Sequence, residues 1–202
     1  MAGKSKLEGK TLEVTLNMLN EVGEVLDRCG VTFALDGGTA LGVVREGRLL
    51  PWDSDVDLAV DHGQALQIRR ATRQLFLRGY RVRIRKVFTP IGPYQPGDMR
   101  VVKIWKRRFG FFKGDEVVEL FVRKVQKDQA FWLLGKDNMT LNAMPAQFHQ
   151  ALTPVEFNGR PFNVPAATDE FLTYRYGDWR TPVKEWDAFA NDGAIVEHKA
   201  DN

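Results

Sequence analysis

Residues 36–58 read DGGTALGVVREGRLLPWDSDVDL, and this stretch decides the fold class because it joins two strand-like runs through paired glycines and a short helix. Ahead of it VTFAL (31–35) has the pattern of a buried strand, and Gly37-Gly38 breaks that strand. TALGVVREG (39–47) then carries a short helix, and VDLAV (56–60) returns as a second strand. Asp55 and Asp57 stand two residues apart on extended chain, so their side chains leave the same face, about 6.6 Å apart along the strand. Val56, Leu58 and Val60 alternate with them and point toward a core.

Two carboxylates on one half-buried face raise each other's pKa, and a divalent cation removes that conflict. Mg²⁺ takes a few carboxylate oxygens together with waters and substrate phosphates, and a pair of ions about 3.5–4 Å apart suits in-line displacement at phosphorus. Gly37 and Gly38 lack side chains, so backbone N–H groups can approach a phosphate there, and the helix starting near Thr39 adds its positive end. Arg45 supplies a charge for the same phosphates. The layout is that of a metal-dependent phosphoryl-transfer site. Blander readings compete: solvated acids or a structural Ca²⁺-like site for Asp55 and Asp57, and an ordinary strand-to-helix turn for the glycines. Trp52 either stacks on a base or sugar or anchors the strand's entry after Pro51. Asp53 shares the parity of Asp55 and Asp57 and serves either to hydrate a metal or to hold Arg45.

Asp36, Gly37, Gly38, Thr39, Leu41, Gly42, Arg45, Gly47, Pro51, Trp52, Asp53, Asp55 and Asp57 fall in an order that resembles D-G-G-T-L-L-G-x-x-R-x-G-x-x-x-P-W-D-D-D-x-D. That is the signature of the LicD and fukutin-related family, a branch of the nucleotidyltransferase superfamily. Downstream, TPVEFNGRPFNVPAATDEFLTYRYGDW (153–179) resembles the family's C-terminal pattern, a hairpin F-x-G-x-x-F-x-V-P leading to a helix that ends Y-G-D-W. Glu46 replaces a His common after the matching Arg, and Ser54 replaces the middle Asp of the family's triple. The resemblance is to the catalytic domain of larger eukaryotic members, so no counterpart of their membrane anchor or cysteine-bound zinc is expected in these residues.

The resemblance implies an α/β (α+β) fold: a nucleotidyltransferase-like mixed sheet flanked by helices, with a C-terminal hairpin and helix. It also implies a third carboxylate on a neighbouring strand. Glu119 in DEVVELFVRKV (115–125) is the candidate, because Leu120-Phe121 complete the family's acid-then-two-apolar pattern. Asp115 and Glu116 are rivals, and a solvent-facing Glu119 on an alternating strand is the competing reading. On the leading reading Asp55, Asp57 and Glu119 are catalytic and hold Mg²⁺ or Mn²⁺, while Gly37, Gly38, Thr39, Arg45, Trp52 and Asp53 bind substrate and its phosphates. The implied reaction moves a phospho-alcohol group, such as phosphocholine, from a CDP-linked donor to a hydroxyl of a glycan, lipid-linked glycan or small-molecule acceptor, and CMP leaves. Two other readings are a nucleotidyltransferase that releases pyrophosphate and a non-catalytic metal- or nucleotide-binding domain.

Composition bounds the rest. A chain of 202 residues with 44% hydrophobic and 27% charged residues is read as a single domain over 1–202, with flexible termini at about 1–8 and 192–202. The balance of 29 basic and 26 acidic residues gives +3, which favours anionic substrates without requiring nucleic acid. A lone Cys29 excludes an internal disulfide framework and a cysteine-rich zinc site. No apolar run reaches membrane-spanning length, and MAGKSKLEGK lacks the apolar region of a signal peptide, so a cytoplasmic protein is expected. His62, His149 and His198 have no ligand spacing.

Periodicity predicts a first helix ending before Gly30, a further helix over GQALQIRRATRQLFLRG (63–79) and a strand YRVRIRKVF (80–88) with Arg81, Arg83 and Arg85 on one face. MRVVKIW (99–105) and EVVELFV (116–122) predict neighbouring strands. Asn158-Gly159 marks a hairpin turn, and Thr168 with Asp169 and Glu170 opens a helix ending at Gly177. WKRRFGFFKG (105–114) interleaves cations with aromatics. That mixture points to peripheral membrane contact through 105–113, against a hairpin whose aromatics fold back on the core.

Overall fold

The computed structural model describes residues 6–108, 112–136, 139–183 and 186–198. Helix α1 (Gly9–Arg28) precedes β1 (Phe33–Leu35), α2 (Gly37–Glu46), β2 (Val56–Asp61), α3 (Ala65–Leu77), β3 (Tyr80–Lys86), β4 (Met99–Arg108) and β5 (Phe112–Gln126). Then follow β6 (Gln129–Leu134), β7 (Thr140–Pro145), α4 (Gln147–Gln150), β8 (Leu152–Phe157), β9 (Arg160–Pro165), α5 (Thr168–Tyr176) and β10 (Ile195–His198). The result is the expected α+β fold with a mixed, mostly antiparallel sheet.

The long strand β5 organises that sheet. Its first half lies between β2, which it pairs in parallel, and the antiparallel β4; its second half pairs with β6, and β7 and β10 extend the sheet beyond. β3 is an edge strand joined to β4, and β1 closes the other side against β2. The registers Arg83↔Lys103, Lys103↔Glu119 and Asp57↔Glu119 put four charged side chains in one row across β3, β4, β5 and β2, on one face. Alternate residues Val56, Leu58, Ile104, Val118 and Leu120 face the other way and are fully buried. Met18, Leu19, Val22 and Leu26 of α1 and Ile68, Ala71 and Leu75 of α3 join them in one core. Each such aliphatic side chain contributes about 1.5–3 kcal/mol through burial, so the apolar face carries the stability and leaves the charged face for chemistry.

Several boundaries follow the expected local physics. Gly79 closes the turn after α3 at φ +87°, and Asn158 and Gly159 are both left-handed at +51° and +79°, the two-residue hairpin geometry that joins β8 to β9. The termini differ from expectation. Leu7 is buried, and its N–H donates to the Asp53 carbonyl at 2.9 Å. At the other end Asp192 is buried and β10 pairs with β7. Ile195–His198 are therefore built into the sheet, where sequence had suggested a loose tail from about 192; residues 1–5 and 199–202 lie outside the described residues.

The basic-aromatic segment also behaves differently from a free surface. Arg107 donates to the carbonyls of Tyr80 and Phe76, Arg108 pairs with Glu116 at 2.9 Å and Lys106 with Glu21 at 3.5 Å. Lys106, Arg107 and Arg108 are thus committed to partners within the fold. Phe109 and Phe111, invoked for membrane contact, lie outside the described residues.

Gly193 shows how closely the C-terminal arm docks: its N–H donates to the Arg175 carbonyl at 3.0 Å, and a Cβ there would collide with the Tyr174 carbonyl. Gly193→Ala is expected to destabilise the protein by about 1–3 kcal/mol, read as a lower urea midpoint at unchanged slope.

Candidate active site

The charged face of the sheet opens into a cavity of about 380 Å³, bounded by the start of α2, the approach to β2, strands β4 and β5, and the chain from Arg175 to Asp192. The α2 end is fastened to the backbone of Asp57 from both sides. Asp36 N–H donates to the Asp57 carbonyl at 3.0 Å, and Asp57 N–H donates to Thr39 Oγ1 at 2.9 Å. The paired glycines have a steric reason beyond the turn. Gly37 sits at φ +53°, and a Cβ on it would lie 2.8 Å from Asp57 Oδ2; a Cβ on Gly38 would overlap Asp53 Oδ2. The two glycines therefore leave the room that these carboxylates occupy.

Asp53, Asp55, Asp57 and Glu119 all line the cavity. Glu119 is buried, shares a row with Asp57 and is hydrogen-bonded to the ammonium of Lys103, itself buried. Its neighbour Glu116 is occupied by Arg108, and Asp115 by the same arginine at 3.7 Å. Of the three rival acids, Glu119 is the one that reaches the cavity. Arg45 also lines the cavity but is already held: Nη1 donates to the Trp179 carbonyl at 3.0 Å, and Nε and Nη2 donate to Glu46. Trp52 is half-buried, packs on the core and borders the same cavity.

Beside the carboxylates lies a buried ionic quartet. Asp36 Oδ2 accepts from Arg123 at 2.6 Å and Oδ1 accepts from Arg175 at 3.1 Å, while Arg175 chelates Asp192 through Nε and Nη2 at 2.5–2.8 Å. Both guanidiniums lie over the ring of Trp132, at 4.7 and 4.8 Å from its centroid. Two acids and two bases make the group neutral, which lets it exist without water. Sequence reading missed Lys103, Arg123, Arg175 and Asp192. For Lys103 and Arg123 a signal existed, since both interrupt apolar strands and Arg123 shares the parity of Glu119. Arg175 and Asp192 had none, being 139 and 156 residues from Asp36 in sequence.

The electrostatics of the two groups are opposite. Burial alone would raise the Asp36 pKa, yet Arg123 and Arg175 bring it below the usual carboxylate range. Burial raises Asp53 to about 6. Burial, then the charges of Glu119 and Asp53, raise Asp55 to about 7, and burial with Asp55 and Glu119 pushes Asp57 well up. No basic side chain among the described residues forms an ion pair with Asp53, Asp55 or Asp57. This donor set, all oxygen and short of positive charge, suits a hard divalent cation. Among the described residues no three ligating side chains are yet gathered at metal-bonding spacing, so closing on an ion requires the carboxylates to rotate.

The raised pKa values have a defined sign. Asp53 and Asp55 bind protons more tightly in the folded state than in the unfolded chain, so their contribution to stability is present below about pH 4 and is lost as pH rises through about 6 and 7. Asp55→Asn is expected to raise the melting temperature of the metal-free protein at pH 8 by roughly 2–4 °C and to have little effect at pH 4, checked by melting in chelator across pH. Arg175→Met is expected to cost about 3–5 kcal/mol, because it leaves buried Asp192 without its guanidinium and Asp36 with only Arg123; urea unfolding measures it.

Comparison with known proteins now bears on these features. Residues 30–167 match the family model described as LicD/FKTN/FKRP, nucleotidyltransferase domain. The ribitol-5-phosphate transferase FKTN of Homo sapiens is 27% identical over 173 residues, covering 84% of this chain and 34% of that protein. The ribitol 5-phosphate transferase FKRP of Mus musculus is 46% identical over 50 residues, covering 23% of this chain and 10% of that one. The chain thus spans about a third of the length of its FKTN relative. Among solved structures, the lincomycin-bound lincosamide antibiotic adenylyltransferase LnuA aligns with 87% of this chain and 93% of its own, at 13% identity and a TM-score of 0.44. On the match over residues 30–167, the chain belongs to the LicD/FKTN/FKRP nucleotidyltransferase-domain family.

Proposed function

We propose that this chain is a metal-dependent transferase that moves a phospho-alcohol group from a CDP-linked donor to a hydroxyl of a glycan or related acceptor, releasing CMP. The observation that carries the reading is the parallel register Asp57↔Glu119, which sets the third acid beside the aspartate strand on the open face of the sheet. The relatives named as ribitol-5-phosphate transferases make ribitol phosphate a candidate group alongside phosphocholine.

In this reading Asp55, Asp57 and Glu119 hold Mg²⁺ or Mn²⁺, which would neutralise charge on the donor diphosphate. Lys103 donates to Glu119 and fixes its carboxylate at the cavity wall. The start of α2, where Gly37 and Gly38 line the cavity, would offer its N–H groups to the phosphates, and Thr39 keeps the Asp57 peptide fixed while charge moves. The acceptor oxygen forms the new P–O bond as the bond to CMP breaks. The hydroxyl proton passes to a carboxylate oxygen, for which Asp53, at about 6, is tuned near neutrality. Catalysis here is positioning and charge stabilisation, with no covalent nucleophile.

The test is mass-spectrometric detection of CMP and pyrophosphate. The protein is incubated with CDP-ribitol, CDP-choline or nucleoside triphosphates, with Mg²⁺ or Mn²⁺, over a pool of acceptors. CMP from a CDP-alcohol, reduced roughly 10²–10³-fold in Asp57→Asn, is expected. Pyrophosphate from a triphosphate instead would reassign the chain to nucleotidyl transfer, and metal-independent turnover would remove the carboxylates from the mechanism.

A further inference from the structure

The outer side of α3 has no part in the site just described. Among the described residues no helix is long and apolar enough to cross a membrane, yet this helix is unusual in what it shows to solvent. Leu66 is 81% exposed, Leu77 76% and Phe76 56%. Ile68, Ala71, Thr72 and Leu75 face the core, so Leu66, Arg70, Arg73 and Leu77, spaced by four, three and four residues, form one stripe on the opposite side. Arg69 and Phe76 flank it. The stripe runs for about 16 Å.

Charge sets this region apart from the rest of the chain. Residues 65–88 hold eight basic side chains and no acidic one, while the other 178 residues hold 21 basic and 26 acidic. A protein that is acidic elsewhere thus concentrates its positive charge on one helix and the strand after it. The cations of 105–108 are consumed by internal partners, as described above. Arg69, Arg70 and Arg73 are exposed, and among the described residues no acid forms an ion pair with them.

We propose that the outer face of α3 is a docking surface for an anionic lipid bilayer. The arginines pair with anionic headgroups, and Leu66, Phe76 and Leu77 enter the boundary between headgroups and acyl chains. Nucleic acid would use the arginines but gives no role to three exposed aliphatic and aromatic side chains, which is why the lipid surface is favoured. α3 packs against the apolar face of the sheet, whereas the carboxylates lie on the other face. A bilayer on α3 therefore leaves the catalytic cavity open.

Vesicle co-sedimentation of the full chain tests the proposal, using phosphatidylcholine alone and phosphatidylcholine mixed with phosphatidylglycerol. Binding to the anionic vesicles only, weakened by salt, is expected. At about fivefold per basic side chain at such a surface, Arg70→Glu with Arg73→Glu should weaken partitioning by at least roughly 25-fold. Leu66→Ser with Leu77→Ser should weaken it too, with the circular dichroism of both variants unchanged. No binding, or binding indifferent to the arginine variant, would overturn the proposal. So would an RNA oligonucleotide bound more tightly than the vesicles with the serine variant unaffected, or self-association on sizing columns that the serine variant abolishes.

Discussion

Everything around the cavity hangs on the buried carboxylate of Asp36. Its N–H fixes the Asp57 carbonyl, and its side chain is the only described acid shared by two buried guanidiniums. A residue at the start of a helix usually spends its carboxylate on the helix's own N–H groups; Asp36 makes no such side-chain cap. It ties three distant parts of the chain together: the turn into α2, strand β5 through Arg123, and the C-terminal arm through Arg175 and Asp192. Trp132 of β6, flanked by both guanidiniums, adds a fourth. The neutrality of this group is what makes it tolerable in a dry place, since each ion there has a counter-ion and directed hydrogen bonds.

Beside it, along the same cavity, stands the opposite arrangement. Asp53, Asp55 and Asp57 are crowded, half-buried and raised in pKa, and they have no buried cation of their own. Placing a satisfied ionic group beside an unsatisfied one separates two tasks that compete in a single network. The quartet holds geometry whatever the pH of ordinary solutions, while the aspartates keep charge in reserve for a ligand. Lys103 sits at the border: it pairs with Glu119 and its charge also lowers the Asp55 pKa, against the larger effects of burial and the neighbouring acids.

Much of this was legible in the chain because it is local. The glycine pair, the alternation of Asp55 and Asp57 with Val56 and Leu58, and the Asn158-Gly159 turn all act within a few residues, and each lies where its pattern placed it. The place of Glu119 at the cavity, on the strand beside Asp57, matches what the resemblance alone had suggested. What escaped detection was of two kinds. β6 and β7 (QAFWLL and TLNAMP) are buried on both faces in large part, so they lack the two-residue alternation that marks a strand. The other kind is distance: Arg175 and Asp192 look like ordinary charges at a helix end and in a tail, and only the fold shows that they meet Asp36. Arg45 illustrates a subtler difference, since the substitution at Glu46 gives that arginine an internal partner that a motif cannot display.

The span from Asp36 to Asp192 also has a temporal meaning. A ribosome delivers this chain from its N-terminus, and the parallel pairing of β2 with β5 must wait for the α3–β3–β4 excursion between them. The ionic quartet must wait longer still, until the arm beyond α5 has emerged. Contacts of such long sequence separation are slow to form, so Asp36 and the aspartates after it are made well before the residues that balance Asp36. The quartet is complete only once Asp192 reaches Arg175.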